Sequence, residues 1–153
     1  MVAPRSKAVW CALLALAAAV LSGCPQRGSK LVRREKEIRF ALQDIGNVMS
    51  GRTSLAPGKD IAITRNSVEM WLVLNYEPSS AVDVKIATDI TCRHVLDTLG
   101  SLDVEPAQDE VTVIVHALRS PPPDATGMTT APELGATRYD WQTGETSFAE
   151  GAR

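Results

Sequence analysis

The feature that most constrains the fold of this chain is an uncharged, largely aliphatic run near its amino terminus. The run extends from Ala8 to Leu21 and follows Arg5 and Lys7. Its 14 residues are fewer than the roughly 20 that a transmembrane helix needs. A basic start, a short apolar middle and small residues at the exit are typical of a secretory signal peptide. About 130 residues then remain for folding, which is the size of one ordinary domain.

The exit of this leader reads Leu21-Ser22-Gly23-Cys24. The motif resembles the lipobox of bacterial lipoproteins, in which an aliphatic residue and two small residues precede an invariant cysteine. The resemblance implies cleavage between Gly23 and Cys24 and acylation of Cys24, and two or more acyl chains anchor a protein firmly in a membrane. The alternative is an ordinary secretory signal with a chance cysteine.

The residue after the cysteine bears on the destination. In such lipoproteins an aspartate there tends to retain the protein in the inner membrane of enteric-type bacteria. Pro25 stands at that position. The resemblance therefore favours the outer membrane, with the domain facing the periplasm and membrane lipid as its first partner through acylated Cys24.

Cysteine and charge content limit the mature chain further. With Cys11 in the leader and Cys24 acylated, Cys92 has no intramolecular disulfide partner, so either an apolar core holds the domain together or Cys92 pairs with another chain. Residues 25–39 contain six basic residues against two acidic ones, whereas residues 40–153 contain eight against sixteen. The basic end is next to the predicted anchor, and the acidic remainder does not favour nucleic acid as a partner.

An amphipathic helix is predicted from Lys30. Its apolar residues fall on one stripe at 100° per residue and are Leu31, Ile38, Leu42, Ile45 and Met49. Opposite charges lie four residues apart in the pairs Glu35 with Arg39 and Arg33 with Glu37, which favours a solvated, ion-paired helix face. The second interpretation of these basic residues is attraction to anionic lipid headgroups.

Period-two patterning predicts a β-hairpin after a loop at residues 50–59. Its first strand covers residues 68–76, a turn follows at Glu77-Pro78-Ser79-Ser80, and its second strand covers residues 82–86. A short strand at residues 60–64 is predicted to precede it.

A second helix and a further strand come next. The helix is predicted to begin at Thr88 or Asp89, either of which can cap it, and to end at Gly100. Its apolar face consists of Cys92, Val95, Leu96, Leu99 and Leu102. Residues 110–118 form the strand, and its cleaner apolar face consists of Val111, Val113 and Val115.

These elements predict an α+β fold: a two-layer sandwich of a small, mainly antiparallel sheet with two helices on one face and a C-terminal hairpin. The domain organisation is a signal peptide at 1–23, a lipidated tether at 24–29, the α+β domain at 30–118, a flexible Pro/Gly-rich loop at 119–136, and a hairpin with a polar tail at 137–153.

Catalytic and metal-binding patterns are weak. Cys92, His94 and His116 are the residue types that bind zinc or form a nucleophile–base pair. Residues two apart on a helix point about 200° away from each other, however, so Cys92 is predicted to be buried while His94 faces solvent. No nucleotide-binding, hydrolase or metalloprotease motif occurs, and the carboxylates from Asp83 to Glu110 fit outward positions. No cofactor, metal or catalytic residue is therefore predicted.

The remaining candidate is the sheet face opposite the helices. Alternation places on it four residues, Trp71, Val73, Ile114 and His116, which is more apolar than a solvated face requires. Tyr139 and Trp141 complete the candidate interaction face. Either the C-terminal hairpin covers this face with Tyr139, Trp141 and Phe148, or the face stays partly open. The prediction is a non-enzymatic envelope lipoprotein that binds an envelope protein or component; the alternatives are a small envelope enzyme using His116 and an apolar-ligand binder beside Trp71.

Overall fold

Six strands and three helices make up the part of the chain that the computed structural model describes, namely residues 29–45, 51–58, 60–120 and 131–151. The helices are α1 (Lys30–Arg33), α2 (Glu35–Leu42) and α3 (Ala81–Ser101). The strands are β1 (Thr53–Leu55), β2 (Ile61–Ile63), β3 (Ser67–Leu74), β4 (Thr112–Arg119), β5 (Glu133–Asp140) and β6 (Glu145–Glu150). The predicted α+β class is confirmed.

The sheet is mixed, and its order is β1-β3-β4-β5-β6, with β2 also paired to β3. Every pairing is antiparallel except that of β3 with β4, which are parallel and are joined by α3. A parallel pair needs a long crossover connection, and here a helix supplies it. Strands β3 and β4 are therefore the centre of the sheet.

All three helices pack on one face of this sheet and form its main core. The stripe predicted for the first helix is fully buried at Leu31, Ile38, Leu42 and Ile45, while Met49 lies outside the described residues. The sheet contributes Val68, Met70, Leu72, Val113 and Val115 to the same cluster, and α3 contributes Cys92, Val95 and Leu99. Burial of these aliphatic side chains is the main source of stability, since each contributes about 1.5–3 kcal/mol relative to exposure.

The prediction of a strand at residues 82–86 was wrong, because these residues form the first turns of α3. Val84 is buried, whereas Val82 and Ile86 are exposed on the opposite side of the helix, so three apolar residues at alternate positions imitated a strand. Ser80 is the N-cap residue, and the Asp83 carboxylate accepts a hydrogen bond of 2.9 Å from the backbone N–H of Ser79. The helix thus begins eight residues before Asp89.

The edge of the sheet next to β3 is built from two short strands. The predicted strand at 60–64 is present as β2, whereas β1 lies inside the stretch that was predicted to be a loop. Between them, the backbone N–H of Ala56 donates to the Trp71 carbonyl, and the Trp71 N–H donates to the Asp60 carbonyl. Trp71 is therefore held by its backbone at the junction of β1 and β2.

The C-terminal hairpin is present, and it extends the sheet instead of covering it. Strand β5 begins at Glu133, within the predicted loop, and pairs with β4; residues 121–130 lie outside the described part of the chain. Phe148 of β6 packs on the helix side, over Gly135, where an added Cβ would lie 2.7 Å from the Phe148 ring. The hairpin is thus part of the single sheet.

Candidate functional site

The candidate site is the sheet face opposite the helices, here called the outer face. Strand alternation brings to it Glu69, Trp71 and Val73 from β3, Ile114, His116 and Leu118 from β4, and Ala136 and Arg138 from β5. Trp71 and Val73 are 9% and 7% exposed and form a small cluster with Ala56, while Ile114, His116 and Leu118 are half-buried. The outer face therefore has two buried side chains on β3 and a row of more accessible side chains on β4.

Trp71 and His116 form the centre of the outer face. They are direct neighbours in the parallel register of β3 and β4. Their rings stack with centroids 5.0 Å apart and planes inclined by 4°. Because hydrogen bonds with Ala56 and Asp60 fix the Trp71 backbone, this stack holds the imidazole in one orientation.

Two carboxylates flank the imidazole. Nδ1 of His116 is 3.0 Å from Oε1 of Glu133, a hydrogen-bond distance. Nε2 is 3.9 Å from Oε2 of Glu69, and within the described residues this buried nitrogen has no hydrogen-bond partner. The His116 side chain is 18% exposed, so the imidazole lies between the two acids with little of its surface in solvent.

A β-bulge places Glu133 beside His116. The register between β4 and β5 shifts between Ala117 and Leu118, so that Glu133 pairs with Leu118 and Leu134 turns to the helix side. Bulges commonly redirect a side chain in this way. Strict alternation would have assigned Glu133 to the other face.

The geometry of His116 favours positioning over acid–base chemistry. A general base must reach its substrate with a free ring nitrogen. Nδ1 is occupied by Glu133, and Nε2 has less than 1 Å² of exposed surface. No group of three His, Cys, Asp or Glu side chains able to hold a metal ion occurs in the described residues.

Two aromatic residues predicted for this face lie elsewhere. Tyr139 pairs with Val113 and packs against the main core on the helix side, because it is an odd number of positions from Ala136. Trp141 lies in the turn between β5 and β6. Of the two alternatives for this face, coverage of Trp71 by these rings is not the one observed, since Tyr139 packs on the helix side and Trp71 stacks on His116.

Cys92 is fully buried as the helical spacing predicted, whereas His94, predicted to face solvent, is only partly exposed. Burial, followed by the negative charge of Asp89, raises the pKa of the Cys92 thiol from 9.0 to about 11. A thiol with this pKa is a poor nucleophile at neutral pH, because the thiolate is the reactive form.

One carboxylate that was assigned to an outward position takes part in a polar network between α3 and β5. The Thr137 hydroxyl donates to Oδ1 of Asp89 over 2.7 Å and lies 2.7 Å from the Thr88 hydroxyl. Partial burial acts to raise the pKa of Asp89, but hydrogen bonds from Lys85 and Thr137 outweigh it and hold that pKa below 3.8. Asp89 thus links the helix layer to the sheet.

A cavity of about 450 Å³ lies at one end of the sheet, between the start of α3, the end of β4 and the start of β5. Ser80, Val84, Arg119 and Glu133 are among its lining residues, and Trp71 and His116 are not. The apolar-ligand alternative requires a cavity beside Trp71, and this cavity does not meet that requirement.

The residues that sequence reasoning missed at this site are the two glutamates. Glu69 could have been found, because it lies two positions before Trp71 on the same strand and must share its face. Glu133 could not, because its orientation depends on the bulge. The predicted lipidation and cleavage residues, Cys24 and Gly23, lie outside the described residues.

Comparison of the chain with protein-family models, with curated proteins and with solved structures gives no match. Among the described residues, no helix combines the length and apolar character needed to cross a membrane.

Proposed function

We propose that this protein is a lipid-anchored envelope lipoprotein whose α+β domain is a non-enzymatic module that binds a partner protein through its outer face. The anchor is acylated Cys24, exposed by cleavage after Gly23, and the domain faces the periplasm from the outer membrane. The motif Leu21-Ser22-Gly23-Cys24 and Pro25 support this part of the proposal.

One observation carries the binding role. The outer face presents Ile114 and Leu118, half-buried, on either side of His116. A sheet face that only meets water normally carries polar residues, and apolar residues there mark interaction surfaces. Trp71 and Val73 lie beside this row on β3 and pack against it, and the row on β4 makes the contact. The flanking carboxylates of Glu69 and Glu133 favour a partner with basic groups at the rim.

Anchoring is tested in cells that produce the full chain. Cys24→Ala abolishes incorporation of labelled palmitate and releases the protein from the membrane fraction, whereas Cys11→Ala changes neither. Mass spectrometry of the amino-terminal peptide identifies the cleavage position and the acyl groups. An intact, unacylated leader in the wild-type protein contradicts the anchor.

Binding is tested with a photo-crosslinking amino acid at Ile114, and with the same substitution at Ile90 as matched control. Ile90 is an exposed isoleucine on α3, away from the outer face. A crosslinked partner is expected from position 114 alone, and Leu118→Glu should abolish it. Equal crosslinking at both positions, or insensitivity to Leu118→Glu, contradicts the proposed surface.

A second candidate, acid–base catalysis by His116, is favoured by the 3.0 Å contact with Glu133. It requires an accessible Nε2. Modification by diethyl pyrocarbonate distinguishes the two, with His94 as the internal reference. Protection of His116 relative to His94 supports the binding module, and equal or faster modification of His116 supports catalysis.

A further inference from the structure

The most solvent-directed line of the first two helices carries two basic residues followed by an aromatic one. At 100° per residue, Arg33, Lys36 and Phe40 lie opposite the buried stripe that begins at Leu31. Phe40 is 78% exposed, more than any other large hydrophobic side chain in the described residues, and Val32 beside this line is 52% exposed. Two exposed apolar side chains among basic residues are typical of a helix surface that contacts a membrane.

Among the described residues, the two basic residues on this line have no ion-pair partner, in contrast to their neighbours. Lys30 pairs with Asp109, Arg34 with Glu37, and Arg39 with both Glu35 and Asp60. Arg33 and Lys36 are exposed, and within the described part of the chain they form no ion pair. The predicted pair of Arg33 with Glu37 is replaced by that of Arg34.

We propose that this line, Arg33, Lys36 and Phe40, is a membrane-contact surface that lies on the anionic lipid headgroups of the bilayer. The inference rests on the proposed acylation of Cys24. The five Cα–Cα steps from Cys24 to Ser29 span at most about 18 Å when fully extended, so the anchor keeps α1 and α2 beside the bilayer. Phe40 enters the interface, and Arg33 and Lys36 contact phosphate groups.

Charge complementarity favours lipid over a second protein copy as the occupant. The other exposed apolar row, Val82, Ile86 and Ile90 on α3, is accompanied by two acidic residues, Asp83 and Asp89, and by two basic ones, Lys85 and Arg93, and Lys85 pairs with Asp89, so the row has no excess of basic charge to attract anionic lipid. The row on α1 and α2 belongs instead to the basic end of the chain. Only the first of these two surfaces therefore fits a negatively charged bilayer.

The experiment uses the full acylated protein, labelled with a polarity-sensitive fluorophore at Phe40→Cys or, as matched control, at Val82→Cys. Val82 is 62% exposed, and Cys92 is fully buried and does not compete for the label. In vesicles of phosphatidylethanolamine and phosphatidylglycerol, the emission at position 40 is expected to shift to the blue and that at position 82 to stay as in water. Vesicles of phosphatidylcholine alone give a smaller shift.

Arg33→Gln with Lys36→Gln should reduce the shift at position 40, and so should high salt, while the acyl anchor still keeps the protein on the vesicles. An acylated, vesicle-bound protein whose two probes stay equally exposed to water overturns the contact surface and leaves the anchor intact. A blue shift at position 40 without vesicles that grows with protein concentration identifies a second copy as occupant and also overturns it. Absence of acyl groups in the mass spectrum instead refutes the anchor, and the contact surface with it.

Discussion

The two faces of the sheet differ in what they bury. The helix side holds the main core of fully buried aliphatic side chains, and hydrogen bonds join the hydroxyls of Thr88 and Thr137 to the carboxylate of Asp89 beside it. The outer face holds a small cluster around Trp71 and a histidine between two acids. Stability is therefore concentrated on one face, which leaves the other free to change its surface at small cost to folding.

The largest expected effect compares two leucines on neighbouring strands. Leu72→Ala, on the helix side, should lower the free energy of unfolding by about 3–4 kcal/mol, because it leaves a cavity in a closed core. Leu118→Ala, half-buried on the outer face, should cost about 1 kcal/mol, since water fills the space. Urea unfolding followed by tryptophan fluorescence measures both, and equal losses would remove the distinction between the faces.

The polar link between α3 and β5 gives a pH-dependent test. Thr137→Val should destabilise the protein by about 1–2 kcal/mol at neutral pH, because Asp89 loses a donor while partly buried. Because the pKa of Asp89 is lowered in the folded protein, its ionised carboxylate stabilises the fold at pH values above the ordinary pKa of 3.8. This stabilisation is lost as the pH falls through the lower pKa of the folded state. The variant should therefore lose less stability over that acidic range.

Thr112→Val, on the outer face, is the control for this substitution. It should shift the unfolding free energy by less than about 0.5 kcal/mol and leave the acid dependence unchanged. An acid dependence of Thr137→Val equal to that of the wild type would show that Asp89 does not act through this network.

Two glycines give effects of opposite sign. Gly135→Ala places a Cβ 2.9 Å from the Ala149 carbonyl oxygen as well as against the Phe148 ring, and about 1–2 kcal/mol of stability should be lost. Gly100→Ala, in α3 with nothing within 4 Å of the added Cβ, should gain about 0.5–1 kcal/mol. Thermal unfolding measures both, and a gain at Gly135 would show that the hairpin yields easily.

The smallest effect is expected at the two glutamates of the outer face. Glu133→Gln should cost about 0.5–1 kcal/mol, because it weakens the hydrogen bond to His116. Glu69→Gln should be closer to neutral, because its carboxylate lies 3.9 Å from Nε2. If Glu69→Gln proves the more costly, the electrostatic contribution of the 3.9 Å contact exceeds that of the hydrogen bond.

The sequence predicted the main features of this fold where one periodicity was unambiguous. The stripe from Leu31 to Ile45 and the alternation of Val111, Val113 and Val115 each had one solution, and both were confirmed. The start of α3 was missed because Val82 and Ile86 are exposed. Ser80 followed by Asp83 was the available signal, since this spacing is typical of a helix start.

The candidate site was only partly predictable. Alternation alone put Trp71 and His116 on one face. Their direct contact in a parallel pair could be inferred only once α3 was known to join β3 to β4. Tyr139 was misplaced, and Glu133 was overlooked, because the pairing of β5 depends on a register that a single sequence does not display. Side chains set by local period were found, and those set by strand pairing were not.

The parallel pair at the centre of the sheet also governs how the chain can fold. Strands β1 to β3 pair with one another along one stretch of the chain, and β4 to β6 along another. The two units meet only when β3 and β4 pair across the whole of α3, and such a contact of high sequence separation is slow to form. Formation of the β3–β4 pair is therefore expected to limit the folding rate.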